Sequence, residues 1–189
     1  MNVLLLSPYP DEIRAVIGLT DTVMIRDDKV SAEEIKNNKI DFIVSYGYRH
    51  ILRSAHLQSV NYNAINLHIS FLPWNRGAHP NVWSIVEDTP KGVTIHEIDT
   101  GIDTGNILAQ RRVEFSDHTT LRESFCILHE HLVDLFRETW SGIRADLVTR
   151  VPQDPQEGTS HRSQDLERLW ALLPNGWNTP LYKVPRLRS

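Results

Sequence analysis

Asn66, His68 and Asp103 fall within one stretch, Ala64 to Gln110, that joins an apolar run, a Pro- and Gly-marked loop and a β-rich segment. They supply an amide, an imidazole and a carboxylate. An amide N–H can steady an oxyanion. An imidazole, with an unperturbed pKa of about 6.5, gives or takes a proton near neutral pH. Asp103 can orient His68, raise its pKa or accept a proton itself. Each residue also has a bland reading: a core histidine satisfied by backbone, or a turn aspartate in Asp-Thr-Gly. Asn66 and His68, two apart on one strand face, favour the chemical reading.

The set contains no covalent nucleophile. Ser70 is close in sequence, but no G-x-S-x-G elbow surrounds it. Cys126, next to Phe125 on a strongly periodic helix, reads as a small core residue. What is left is direct attack by a substrate nucleophile on an activated carbonyl, as in group transfer to an amine. No metal site is expected from the nine histidines. His129 and His131 are two apart on a helix and face different ways, without the i, i+4 spacing of zinc helices. Of the five tryptophans, Trp74 in its polar loop is the one placed to touch a ligand.

The elements that must position these groups follow from patterning. Val3 to Leu6 reads as a strand buried on both faces. Pro8 and Pro10 follow without a glycine, so the first turn is no phosphate cradle. Asp11 to Leu19 reads as a short helix, and Thr22 to Ile25 and Asp41 to Ser45 as strands. Ser31 and Glu34 form a capping-box pattern that opens a helix to about Asn37. Tyr46 to Leu52 reads as a turn and a helix start. Ala64 to Ile69 is a strand carrying Asn66 and His68. Pro80 to Glu87 reads as a helix. Val93 to Ile98 and Ile107 to Phe115 read as strands, the first alternating Thr94, His96 and Ile98 against Val93, Ile95 and Glu97.

Thr120 and Glu123 form a second capping-box pattern. Leu121, Phe125, Leu128, Leu132 and Leu135 then recur at spacings of four and three, predicting the strongest helix, to about Arg144. Val151 to Ser160, rich in Pro and Gln, is the nearest thing to a linker. Ser163 should cap a further helix with Leu166, Leu169, Trp170 and Leu173 on one face, ended by Pro174-Asn175-Gly176. Lys183 to Ser189 is a basic tail without periodicity. Strands alternating with helices predict an α/β domain with a mostly parallel sheet. Ligands in such sheets sit at the carboxyl ends of the strands. Ser45-Tyr46-Gly47, Asn66-His68 and Asp103 all fall at or just past such ends.

Composition bounds the rest. The chain has 189 residues, 40% hydrophobic and 23% charged, with a net charge of −4 and one cysteine. One domain with a small C-terminal extension is expected. The charge argues against a nucleic-acid partner. The lone cysteine excludes an internal disulfide and suits a reducing, cytoplasmic setting. No run is long enough to span a membrane, and the N-terminal apolar run is too short for a signal peptide.

Asn66-Leu67-His68-Ile69-Ser70-Phe71-Leu72-Pro73, Arg76-Gly77, Pro80, Trp83, Gly92-Val93-Thr94, His96 and Asp103-Thr104-Gly105-Asn106-Ile107 together resemble the signature of the 10-formyltetrahydrofolate-dependent formyltransferases. Tyr46-Gly47-Tyr48 is similar to that family's folate-binding segment. The resemblance implies a Rossmann-like sheet, a catalytic domain over 1–150 and an extension over 151–189 that covers the site face or mediates a homodimer. It implies Asn66, His68 and Asp103 as catalytic residues. It implies a folate pocket formed by Tyr46, Gly47, Tyr48, Ile51, Leu52, Ile98, Thr100, Gly101 and Ile102, with the acceptor on Ser70, Trp74, Arg76 and Gly77. The co-substrate would be 10-formyltetrahydrofolate and the acceptor a small-molecule amine. The missing glycine loop disfavours the purine branch. The acidic charge and the short C-terminal part disfavour the tRNA branch. A nucleotide-linked amino sugar is then the expected acceptor. An acyl hydrolase on the same fold and a non-catalytic folate-binding module are the alternative readings.

Overall fold

The computed structural model describes residues 1–173 and 175–185. Its element order is β1 (Asn2–Leu6), α1 (Asp11–Ile17), β2 (Thr22–Arg26), α2 (Ala32–Asn37), β3 (Phe42–Tyr46), α3 (Ser54–Ser59), β4 (Ala64–His68), β5 (Arg76–Gly77), α4 (Pro80–Val86), β6 (Gly92–Glu97), β7 (Ile107–Arg112), α5 (Leu121–Arg144), β8 (Ser160–His161) and α6 (Asp165–Trp170). Short 3₁₀ turns follow at Gly176–Asn178 and Leu181–Lys183.

Six strands form one mixed sheet in the order β2-β1-β3-β4-β6-β7. The pairs from β2 to β4 are parallel, while β4–β6 and β6–β7 are antiparallel. The α/β architecture is therefore Rossmann-like with an antiparallel edge. Alternation along each strand sends residues to two faces. Val3, Leu5, Val44, Ile65, Leu67, Val93 and Ile95 join α1 and α5 in one core, which is closed by Leu132, Phe136 and Trp140. Leu4, Leu6, Ile43 and Ala64 join α2 and α3 on the other face. A third cluster sets α4 against Leu121, α6 and Leu181.

Both capping boxes form. Ser31 Oγ accepts from Glu34 N–H, and Thr120 Oγ1 accepts from Glu123 N–H, with the glutamates bonding back. Each fixes a helix start by satisfying orphan N–H groups. Four expectations need correction. The helix after β3 begins at Ser54, after an irregular stretch. Cys126 is exposed, because a rotation of about 100° per residue turns it off the stripe of Leu121, Leu128 and Leu132. Helix α6 starts after Gln164 without a side-chain cap, so Ser163 is not its cap. Leu166, Leu169 and Leu173 are buried as expected, but Trp170 is on the exposed side, edge-on to Trp177. Pro174 and the tail beyond 185 lie outside the described residues.

Candidate active site

The site is built at the junction of the parallel and antiparallel halves. In β4, Ile65 and Leu67 enter the α5 core, so Asn66 and His68 emerge on the opposite face. The antiparallel register sets Asn66 opposite His96 and His68 opposite Thr94. Period-two alternation in both strands therefore collects Asn66, His68, Thr94 and His96 on one surface.

Asp103 reaches this surface from the loop between β6 and β7, held in the left-handed region at φ 53°. Its Oδ1 accepts from the Asn66 amide at 3.1 Å, and its Oδ2 accepts from the Gly77 N–H at 2.8 Å. His68 Nε2 lies 3.7 Å from Oδ2, and His96 Nε2 lies 3.4 Å from Oδ1. The loop is fixed by close approach: a Cβ on Gly105 would meet the Glu97 carbonyl oxygen at 1.9 Å.

Two proton positions follow from acceptors that cannot donate. His96 Nδ1 is 2.8 Å from the Glu97 carbonyl, so it carries a proton and donates. Its Nε2 faces the Asn66 amide at 3.3 Å. His68 Nε2 is 3.2 Å from the Asn75 carbonyl, so this nitrogen carries the proton. Both histidines are buried.

Burial lowers the pKa of His68, and His96 adds to that effect; Asp103 and the Asn75 carbonyl oppose it without reversing it. Of the three roles open to Asp103, a net upward shift of His68 is not realised: desolvation outweighs the carboxylate. Burial opposes ionisation of Asp103, yet His68, His96 and the Gly77 N–H hold its carboxyl below the usual range. The arrangement presents an ionised carboxylate, a neutral imidazole and an oriented amide.

The family model described as "Formyl transferase" matches residues 22–131. This chain belongs to the formyl transferase family. Among curated relatives, the methionyl-tRNA formyltransferase of Clostridium perfringens (strain 13 / Type A) is 36% identical over 142 residues, covering 75% of this chain and 46% of that protein. That of Clostridium botulinum (strain Alaska E43 / Type E3) is 31% identical over 183 residues, covering 96% of this chain and 58% of the other. The chain thus spans about half the length of the curated relatives it matches. The solved structure of the formyltransferase PseJ from Anoxybacillus kamchatkensis, in complex with UDP-4,6-dideoxy-4-formamido-L-AltNAc and tetrahydrofolate, is 42% identical, with a TM-score of 0.91 and 98% coverage of both chains. The methionyl-tRNA formyltransferase of Clostridium thermocellum, 17% identical with a TM-score of 0.69 over 89% of this chain and 74% of its own, shares the fold.

The residues suggested by the family signature sit at different depths. Asn66, His68 and Asp103 are brought together. Ile98 and Thr100 line a cleft of about 370 Å³ with Tyr62, Glu97, Asp99, Asn106 and the two residues that follow Asp103, Thr104 and Gly105. Gly101 N–H is held by Asp99 Oδ1, and Ile102 is exposed. Gly47 has φ 65°. Tyr46 turns away: its hydroxyl bonds His129 Nδ1 at 2.7 Å on the α5 side, and burial pushes its pKa up. Tyr48 bonds the Asp28 carbonyl at 2.8 Å, Leu52 is in the α2–α3 core, and Ile51 is exposed.

On the other side of Asp103, Trp74 is half-buried. Ser70 is buried, with its carbonyl accepting from Thr94 Oγ1 at 2.7 Å. Arg76 is engaged by the chain itself, its Nε bonding Gln153 Oε1 at 3.1 Å. Three participants had no role assigned from the sequence. His96 stands in the family signature and on an alternating strand, but without a function of its own. Gln153 donates to the carbonyls of Asp103 and Gly105, both at 2.8 Å. Thr159 bonds Asn75. The last two lie in the Pro- and Gln-rich stretch that composition reads as a linker, beyond the span matched by the family model.

Proposed function

We propose that this chain transfers the formyl group of 10-formyltetrahydrofolate to the primary amine of a nucleotide-linked amino sugar. The observation that carries the reaction is the convergence of Asn66, His68, His96 and Asp103 on one face. The acceptor reading rests on the similarity to PseJ over nearly the whole of both chains. A cleft of about 370 Å³ falls within the usual range of small-molecule sites, roughly 300–1,000 Å³. Ile98 and the polar loop from Asp99 to Asn106 offer an apolar wall and backbone donors and acceptors. These suit a flat heterocycle with amide-like edges, as in the pterin of the donor.

In this reading the acceptor nitrogen attacks the formyl carbon, forming the new C–N bond. The Asn66 amide donates to the oxyanion that develops. His68 takes the amine proton. A carboxyl held as low as that of Asp103 is a weak base, whereas a neutral imidazole matches the task near neutral pH. Asp103, 3.7 Å away, stabilises the imidazolium so formed. The bond to N10 then breaks, and the proton goes to N10, so tetrahydrofolate leaves without net proton exchange with water. Asp103 holds Asn66 in register throughout, and the amide proton that faces His96 Nε2 at rest turns to the oxyanion.

The acceptor is tested by mixing the protein with 10-formyltetrahydrofolate and a panel of nucleotide-linked amino sugars, free amino sugars and methionyl-tRNA. Tetrahydrofolate release with a nucleotide-linked sugar supports the reading. Release with methionyl-tRNA alone rejects the acceptor, and release without any acceptor replaces transfer by hydrolysis.

A further inference from the structure

The ring of His68 is held by a neighbour whose own position is unusually constrained. Asn75 is wholly buried and sits at φ 58° in the left-handed region. Its carbonyl accepts from His68 Nε2. Every polar group of its side chain is engaged. Nδ2 donates to Glu87 Oε2 at 3.1 Å and to Thr159 Oγ1 at 3.2 Å, while Oδ1 accepts from Thr89 Oγ1 at 2.8 Å. Its backbone N–H also donates to Thr159 Oγ1, at 3.1 Å. Thr159 Oγ1 passes its own proton to Glu87 Oε2 at 2.9 Å.

Thr159 arrives from residues 151–161, pinned on both sides. Arg76 N–H donates to the Thr159 carbonyl at 2.9 Å, and β8 pairs with β5. Gly158, at φ 92°, passes so close that a Cβ there would meet the Pro73 carbonyl oxygen at 2.0 Å.

We propose that Asn75, locked by the Thr159 hydroxyl, is the positioning residue that keeps the proton of neutral His68 on Nε2 and leaves Nδ1 as its basic nitrogen. Thr159 lies outside the matched span of the family model, and through its bonds to Asn75 residues 151–161 become a working part of the site. A carbonyl can only accept, so a carbonyl fixed in direction selects one tautomer of the ring it faces. Asn75 touches no substrate in this account; it acts through His68. The inference rests on the proposed role of His68 as proton acceptor.

The test uses the full chain with Thr159→Val and Thr159→Ser, since Thr159 is only partly buried and its replacement spares the core; Asn75→Ala, at a wholly buried position, is a supporting variant. Nitrogen-15 NMR of the histidine rings should show, in the unsubstituted protein, a His68 Nε2–H resonance protected from solvent exchange. Thr159→Val should lose that protection. Its kcat should fall by about 10- to 10²-fold, the scale of a small misplacement, with KM for the folate unchanged and melting temperature close to the parent. Thr159→Ser keeps the hydroxyl and should restore both resonance and kcat. A protected Nε2–H in Thr159→Val overturns the lock, and so does a lost resonance with unchanged kcat. If the unsubstituted chain transfers no formyl group to any acceptor, the proposed function fails, while the resonance comparison still decides the lock.

Discussion

The side-chain amide of Asn66 donates to Asp103 Oδ1 at 3.1 Å across a sequence separation of 37. The same nitrogen lies 3.3 Å from His96 Nε2. The bond to Asp103 fixes the amide plane, and in the proposed mechanism the proton that faces His96 Nε2 is the one the oxyanion takes. An amide so held meets a developing oxyanion with little reorganisation, which is what makes a fixed donor effective.

Asn66→Ala should therefore lower kcat by about 10²–10³, the usual loss for one oxyanion donor, with little change in folate KM. Asn66→Asp should do no better, because it sets a second carboxylate against Asp103 and raises the pKa of one of the pair. Steady-state kinetics on both variants checks this.

The lowered pKa of His68 sets an acid limb. At saturating substrates, kcat should stay level as pH falls through about 6.5, the ordinary histidine value, and drop only below it. Stability has the same sign. Between the ordinary and the folded value, the unfolded chain binds the extra proton. The contribution is complete above about 6.5 and is lost as pH falls toward the folded value. Asp103 acts in a separate, more acidic window that opens only below about 3.9. Urea midpoints for His68→Gln and the parent, compared on either side of pH 6.5, should converge at high pH and separate at lower pH, the parent losing more.

Gly77 has φ 87°, and a Cβ there would meet the His161 carbonyl oxygen at 2.3 Å. Gly77→Ala should open the β5–β8 pair and displace the N–H that Asp103 accepts. A cost of about 1–3 kcal/mol is expected from the backbone strain, read as a lower melting temperature together with a lower kcat.

Phe136 is fully buried between α5 and the sheet, 5.2 Å from the Trp140 ring centroid. Phe136→Ala should cost about 3–5 kcal/mol and lower the denaturant midpoint. What remains folded should keep its kcat, since the residue lies on the face opposite Asn66.

Local signals were legible and long-range ones were not. The two capping boxes, the long stripe from Leu121 to Leu135 and the shared face of Asn66 and His68 are written in short spacings, and the structure realises them. The place of His96 depends on a strand register that no local pattern encodes, although its alternation with Ile95 was visible. Gln153 and Thr159 are polar residues in a Pro-rich stretch; their partners lie 48 to 84 residues away. Cys126 and Trp170 were misplaced because a helical stripe has edges, and one residue's rotation decides which side of the edge is wet. The sign of the His68 shift required knowing its burial, which composition does not give.

In the proposed function, Asn66, His68 and Asp103 drive formyl transfer. Its most direct test is tetrahydrofolate release from 10-formyltetrahydrofolate, with a nucleotide-linked amino sugar as acceptor, by the parent and by His68→Ala and Asp103→Asn. Steady release by the parent is expected, with a fall of at least about 10²-fold, the scale of a lost general base, in each variant with folded structure retained. Release by His68→Ala at the parent rate would contradict it.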